Sequence, residues 1–261
     1  MSTIHRQYTE QLRKQFGYWA TWAPGVPLKL GQIGTFQDGV FVPESDLGHL
    51  GIQFSINRDE SPSDYAYQST KGVSIQSKVK GKSSKAFQSL TRLDAGVGIS
   101  FTKEGAVVFS ARGCRHNRID DEFRLKEELL ALAQAGKWDY DRAVVTHVAD
   151  ADCCTVLVSQ KSNSRVELRA SADIGNELVD LADAKADLKV AFNTGMYTIM
   201  VSQRKVTPLF RAVRLAKSIF GPPGMVAAMT EMAPSGELAT ASGAGEVELE
   251  EVDLTNVDVA R

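Results

Sequence analysis

No uncharged run in this sequence reaches the roughly 18–20 residues that a membrane-spanning helix needs; the longest are 16–28, 190–203 and 218–230. The N-terminus carries His5, Arg6, Glu10, Arg13 and Lys14 with no apolar stretch between them, which does not fit a secretory signal peptide. Cysteine is scarce and odd in number: Cys114, Cys153 and Cys154. Neighbouring residues of a strand point to opposite faces, so Cys153 and Cys154 are not expected to pair. There is no N-x-Ser/Thr acceptor site. Together these absences read as a reducing, cytoplasmic compartment. Residues 65–93 hold no acid, and residues 225–261 hold no aromatic. No Gly-x-x-x-x-Gly-Lys, Gly-x-Ser-x-Gly or His-Glu-x-x-His occurs, so nucleotide, serine-hydrolase and zinc-protease motifs are all missing.

What is present is an average globular composition: 261 residues, 43% hydrophobic and 24% charged, with a net charge of −2. That balance is unevenly spread. Residues 233–261 contain seven acids and one base, a net of −6, which leaves residues 1–232 at about +4. The acid-free segment contributes Lys71, Lys78, Lys80, Lys82, Lys85 and Arg92. Such a run is either a solvated sheet face or a surface that attracts phosphate on lipid or nucleic acid. Nucleic acid is the weaker choice, because Tyr65, Tyr67 and Phe87 are the only aromatics there to stack on bases.

Periodicity gives an α+β chain dominated by antiparallel strands. Ile4, Tyr8, Leu12 and Phe16 recur every four residues and predict an N-terminal helix over 3–20, cut short by Gly17. The aromatic group Phe16, Tyr18, Trp19 and Trp22 reads as a core plug or as a membrane-interface anchor. Asp38-Gly39 marks a hairpin turn. Alternation over 73–80 predicts a strand. Residues 97–101 and 106–111 read as a hairpin about 102–105, with 112–118 as strand end and loop. Residues 120–135 form the central helix, with Asp120, Asp121 and Glu122 at its N-terminus and Gly136 after it. Strands follow at 143–149, 155–159 and 165–169, then a hairpin, 186–192 and 196–202. Thr207-Pro208 suits the start of a C-terminal helix reaching 220, whose Arg211, Arg214 and Lys217 share a basic side. The expected organisation is a single body over 1–221, then a linker and acidic tail over 222–261. The tail is disordered by composition, yet Val247, Leu249, Val252 and Leu254 among acids suit docking as a strand or short helix.

Candidate chemistry is sparse. Cys114 and His116 would share a strand face, the spacing of a nucleophile and base, but a plain loop is the simpler reading. His147 sits mid-strand. Asp150, Asp152, Cys153 and Cys154 fall short of a zinc ligand pattern. No cofactor or metal is expected, and enzyme function is not indicated.

Residues 118–159 place a helix before Gly136-Lys137-Trp138 and the strand Ala143-Val144-Val145-Thr146-His147-Val148, with basic, serine-rich strands upstream over 73–85. This layout resembles the gasdermin pore-forming domain of the bacterial type, in which a Val-Val-Thr-Glu-Val strand occupies the corresponding place. Bacterial members carry a lipidated cysteine near the N-terminus; here the first cysteine is Cys114. The resemblance implies a chain held inactive by its C-terminal segment and, once released, an oligomeric β-barrel pore. It carries over no site residue. The expected function is a non-enzymatic cytoplasmic effector that binds anionic membranes through its basic residues, with self-association. The alternative is a scaffold module whose acidic tail recruits a protein.

Overall fold

The computed structural model of the chain describes residues 3–82, 86–171, 174, 177–217 and 247–252. Helix α1 (Ile4–Phe16) buries Tyr8, Thr9 and Leu12 along one face. Gly17 ends it in the left-handed region at φ 71°, its N–H returning to the Arg13 carbonyl at 2.8 Å, as a glycine cap does. The next elements are β1 (Trp19–Ala20), β2 (Gln32–Gln37) and β3 (Val40–Asp46). Asp38 and Gly39 both take positive φ in the β2–β3 hairpin turn, the conformation that this dipeptide favours. After a 3₁₀ turn at Leu47–Leu50 come β4 (Ile56–Arg58), β5 (Ser63–Gln68), β6 (Val73–Lys78), β7 (Ala95–Phe101) and β8 (Val107–Ile119). Helix α2 (Glu122–Gln134) is capped by the Asp121 carboxylate, which accepts the Arg124 N–H. Then follow β9 (Ala143–Ser159), β10 (Ser164–Ala170), a 3₁₀ turn at Leu178–Ala182, β11 (Lys189–Thr194), β12 (Met196–Lys217) and β13 (Val247–Glu251).

These strands make two antiparallel sheets. The nine-stranded sheet centres on β9, with β12 on one side and β8 and β2 on the other. The outer edge of β12 receives β1 at Leu209–Phe210 and β13 at Val213–Lys217. The smaller sheet runs β11-β10-β7-β6. Alternation along β8 sorts the core. Val107 and Phe109 meet Tyr8 and Leu12 of α1, while Val108 meets Ile99, Phe101, Val166 and Leu168 of the smaller sheet. Leu125 and Leu129 of α2 cover Ile33, Val144, Val213 and Leu215 at one end of the large sheet. The expected α+β class, with its N-terminal and central helices, is the one observed.

Five expectations are corrected. The C-terminal helix is a strand. Leu209 and Phe210 are both buried, as are Ala212, Val213 and Leu215, because β12 lies between β9 and the β1/β13 edge. Apolar residues on both faces satisfy either period, and tertiary pairing decides. Pro208 is tolerated because it lies in a bulge, where Thr207 and Pro208 together oppose the single residue Asp150 of β9, so no N–H is demanded there. The two arms over 97–111 do not pair: β7 belongs to the smaller sheet and β8 to the larger, and the turn between them carries the chain across. The arms about Gly195 separate in the same way, β11 pairing with β10 and β12 with β9. Finally, residues 112–118 continue β8, and 143–159 form one strand.

Candidate functional site

The acid-free segment is divided between the two sheets and does not form one face. Lys71 lies in the β5–β6 connection, at a polar cleft of about 350 Å³ shared with Glu10, Lys14, Lys103 and Glu104. Lys78 is 5% exposed, and its ammonium donates to the Asp94 carbonyl, so it ties down the β6–β7 connection and offers nothing to a ligand. Lys80, Lys82 and Arg92 are exposed at that connection. Its two limbs are pinned together where the Gly81 N–H donates to the Arg92 carbonyl at 2.9 Å and the Arg92 Nε returns to the Gly81 carbonyl at 3.0 Å. Beside these cations Val79 is 48% and Leu93 75% exposed. Lys85 lies outside the described residues. The connection is anchored by Glu167 of β10, a buried carboxylate accepting the Gln88 and Ser89 N–H groups at 2.7 and 2.8 Å, the Ser89 hydroxyl and Arg165. Burial alone would raise its pKa, but those bonds outweigh it and hold the pKa down at about 2.

The expected basic side of residues 211–217 also dissolves. Strand alternation turns Arg211 and Arg214 to opposite faces of β12. Lys217 ends β12, its backbone paired with Val247, and its side chain lies outside the described residues. Arg211 is instead part of a seam where the C-terminal strand docks. The turn at Gly17 delivers Tyr18 and Trp19 side by side, and Trp19 is fully buried opposite Phe210. β13 lies antiparallel on β12 from Lys217↔Val247 to Val213↔Glu251. The Glu251 carboxylate stands 3.1 Å from Arg13 Nη1 and 3.8 Å from Arg211 Nε. Arg13 sits 5.0 Å over the Trp19 ring and Arg211 4.4 Å over Tyr18, so each cation is held by an aromatic face as well as by the carboxylate. Val252 is buried against Trp19, Phe210 and Ala212. Its N–H donates to the Ala212 carbonyl at 2.9 Å, and its carbonyl accepts the Trp19 indole N–H at 3.0 Å.

Behind Tyr18 lies a constellation that local sequence patterns did not reveal. Tyr65 Oη is 2.9 Å from His116 Nε2, and His116 Nδ1 is 3.1 Å from His147 Nε2. Tyr18 Oη approaches His116 Nδ1 at 3.5 Å. One neutral assignment satisfies the chain of contacts: Tyr65 donates to His116 Nε2, and His116 Nδ1–H donates to His147 Nε2. Burial pushes both imidazoles down, His147 to about 4, where His116, Arg211 and Arg118 add their repulsion. Burial also raises the Tyr18 and Tyr65 phenols. The network is therefore uncharged near neutrality. His116 and His147 are far apart in sequence and meet only through the β8–β9 register, where Arg118 faces His147.

Of the Cys114–His116 pair, His116 is engaged by Tyr65 and His147. Cys114 is buried against α1, and burial with nearby Asp64, Asp152 and Asp150 pushes its thiol up to about 12. Burial raises Cys153 and Cys154 as well. Among the described residues no group of three or more His, Cys, Asp or Glu is placed to hold a metal ion. A second cleft, of about 800 Å³, opens between β5 and β6 against Tyr67, Ile75, Val97 and Leu178, away from the histidines. Among the described residues no helix is long and apolar enough to cross a membrane. The fold and seam define an α+β protein of two antiparallel sheets in which residues 247–251 supply an edge strand. The chain matches no protein-family model, and no characterised protein or solved structure is measurably similar to it.

Proposed function

We propose that this chain is a non-enzymatic effector that engages and permeabilises anionic membranes once its C-terminal segment leaves the body. The observation that carries this reading is the β6–β7 connection, where exposed Val79 and Leu93 stand among exposed Lys80, Lys82 and Arg92. Apolar side chains next to cations suit the boundary between acyl chains and anionic headgroups. Each basic residue near such a surface contributes about 1 kcal/mol. The docked strand supports the restraint. Residues 233–261 carry −6, so their departure turns the net charge from −2 to about +4 and uncovers Arg13, Arg211 and the edge of β12. The gasdermin resemblance points the same way. Recruitment of a protein by a freely presented tail is the weaker reading, because residues 247–252 are already paired with β12.

The test compares the full chain, its Glu251→Arg variant and a chain ending at Gly221 on vesicles of phosphatidylcholine with and without phosphatidylserine. Glu251→Arg and the shortened chain are expected to sediment with the anionic vesicles and release trapped dye, and the full chain to do so far less. If none of the three binds or releases dye, the proposal is wrong.

A further inference from the structure

β13 is joined to β12 by far more chain than its position requires. Lys217 and Val247 are register partners at one end of an antiparallel pair, a gap that a two-residue hairpin loop closes. Here residues 218–246 intervene, a length that fully extended spans up to about 100 Å. The groove that receives β13 is built by the rest of the chain. Its floor is the outer edge of β12, held from behind by β9. Its end stop is Trp19 of β1, whose indole binds the Val252 carbonyl. Its charge selection is the Arg13 and Arg211 pair that takes the Glu251 carboxylate. None of these contacts depends on which copy of the chain supplies the strand. A bare β12 edge would also be an open template for pairing, and reciprocal exchange covers it in both copies within a closed two-fold pair.

We propose that the groove accepts the same segment from a second copy, so that two chains trade residues 247–252 into a closed two-fold dimer. The occupant in trans is an extended strand with a carboxylate at position 251 and a buried aliphatic residue at 252. The inference stands on the groove alone and needs no membrane, so its outcome is separate from that of the vesicle experiment.

Charge reversal tests it by complementation in the full-length chain. One variant, Arg13→Glu with Arg211→Glu, repels its own Glu251. The other, Glu251→Arg, is repelled by its own arginines. Each alone is expected at the 28.4 kDa of one chain by size-exclusion light scattering, and the equimolar mixture at twice that mass. A mixture that stays at the single-chain mass overturns the proposal, and so does equal dimerisation of either variant alone. If a variant lacks the near-ultraviolet circular dichroism of the native chain, a second measurement decides. Val213→Cys with Glu251→Cys places a disulfide across a register pair. Exchange gives a disulfide-linked dimer whose fraction rises with protein concentration during oxidation. Monomer at every concentration overturns the proposal.

Discussion

At the scale of single residues the informative feature is a pair of imidazoles kept neutral. His147 titrates near 4 in the folded chain and near its ordinary 6.5 when unfolded. A group with a depressed folded pKa stabilises the fold above the unfolded value and loses that contribution as pH falls through the folded one. The window is therefore about pH 6.5 down to 4, with His116 acting in the same direction. The side chains facing the pair do not offset this. Tyr18 and Tyr65 stay protonated, and Arg118 and Arg211 repel a protonated ring, while Asp59 works the other way on His116. Thermal unfolding followed from pH 7.5 to 4 should show a loss on the order of 1–2 kcal/mol, a drop of a few degrees in Tm. His147→Phe should flatten that slope. An unchanged slope in the variant would place the acid sensitivity elsewhere. Glu167 belongs to a lower window, from its ordinary 4.5 down to about 2, so the two contributions separate along the pH axis.

At the scale of elements, Glu167 is a principal anchor of the β6–β7 connection. Its carboxylate takes two backbone N–H groups, a hydroxyl and a guanidinium, and Lys78 holds the opposite limb through Asp94. Glu167→Ala leaves the Gln88 and Ser89 donors without their acceptor and Arg165 without its carboxylate, although Arg165 keeps the Ala86 carbonyl, at a cost of about 2–4 kcal/mol. Limited tryptic digestion is the check: cleavage after Lys80, Lys82 and Arg92 should become several-fold faster, while cleavage in α2 stays unchanged. Equal rates would mean that the connection is held by other contacts. The same elements show what local pattern conveys. Gly17, Asp38-Gly39 and Asp121 are read correctly because cap and turn chemistry is local. Residues 97–111 and 186–202 are misread as hairpins because β7 and β8 carry apolar side chains toward both sides, and nothing local says which sheet each arm joins. Arg211 and Arg214 fit a helix face by spacing and opposite strand faces by pairing, and only β9 settles which. The Tyr65–His116–His147 contact depends on a long-range register that no short window contains. The basic run was visible, but that Lys78 turns inward to the Asp94 carbonyl was not.

For the whole molecule, the central quantity is how the charge is partitioned between a body of about +4 and a tail of −6. Only part of the positive charge faces outward from the β6–β7 connection, beside Val79 and Leu93. The proposed membrane contact therefore has two separable components, electrostatic and apolar. The triple reversal Lys80→Glu, Lys82→Glu, Arg92→Glu should weaken partitioning of the Glu251→Arg chain onto phosphatidylserine vesicles by 100-fold or more, from about 1 kcal/mol for each cation removed and further repulsion from each acid added. Raising salt from 0.1 to 0.5 M should mimic that loss, because screening shortens the reach of surface charge. Leu93→Ser should act differently. It removes most of one aliphatic side chain from the acyl boundary, about 1–2 kcal/mol, and leaves the slope against salt unchanged. Vesicle partitioning measured for the three chains across a salt series distinguishes the components. A free-energy loss about one third as large in the single control Arg124→Glu, exposed on α2 and changing the charge by a third as much, would show that net charge alone governs adsorption and that the β6–β7 connection has no special part in it.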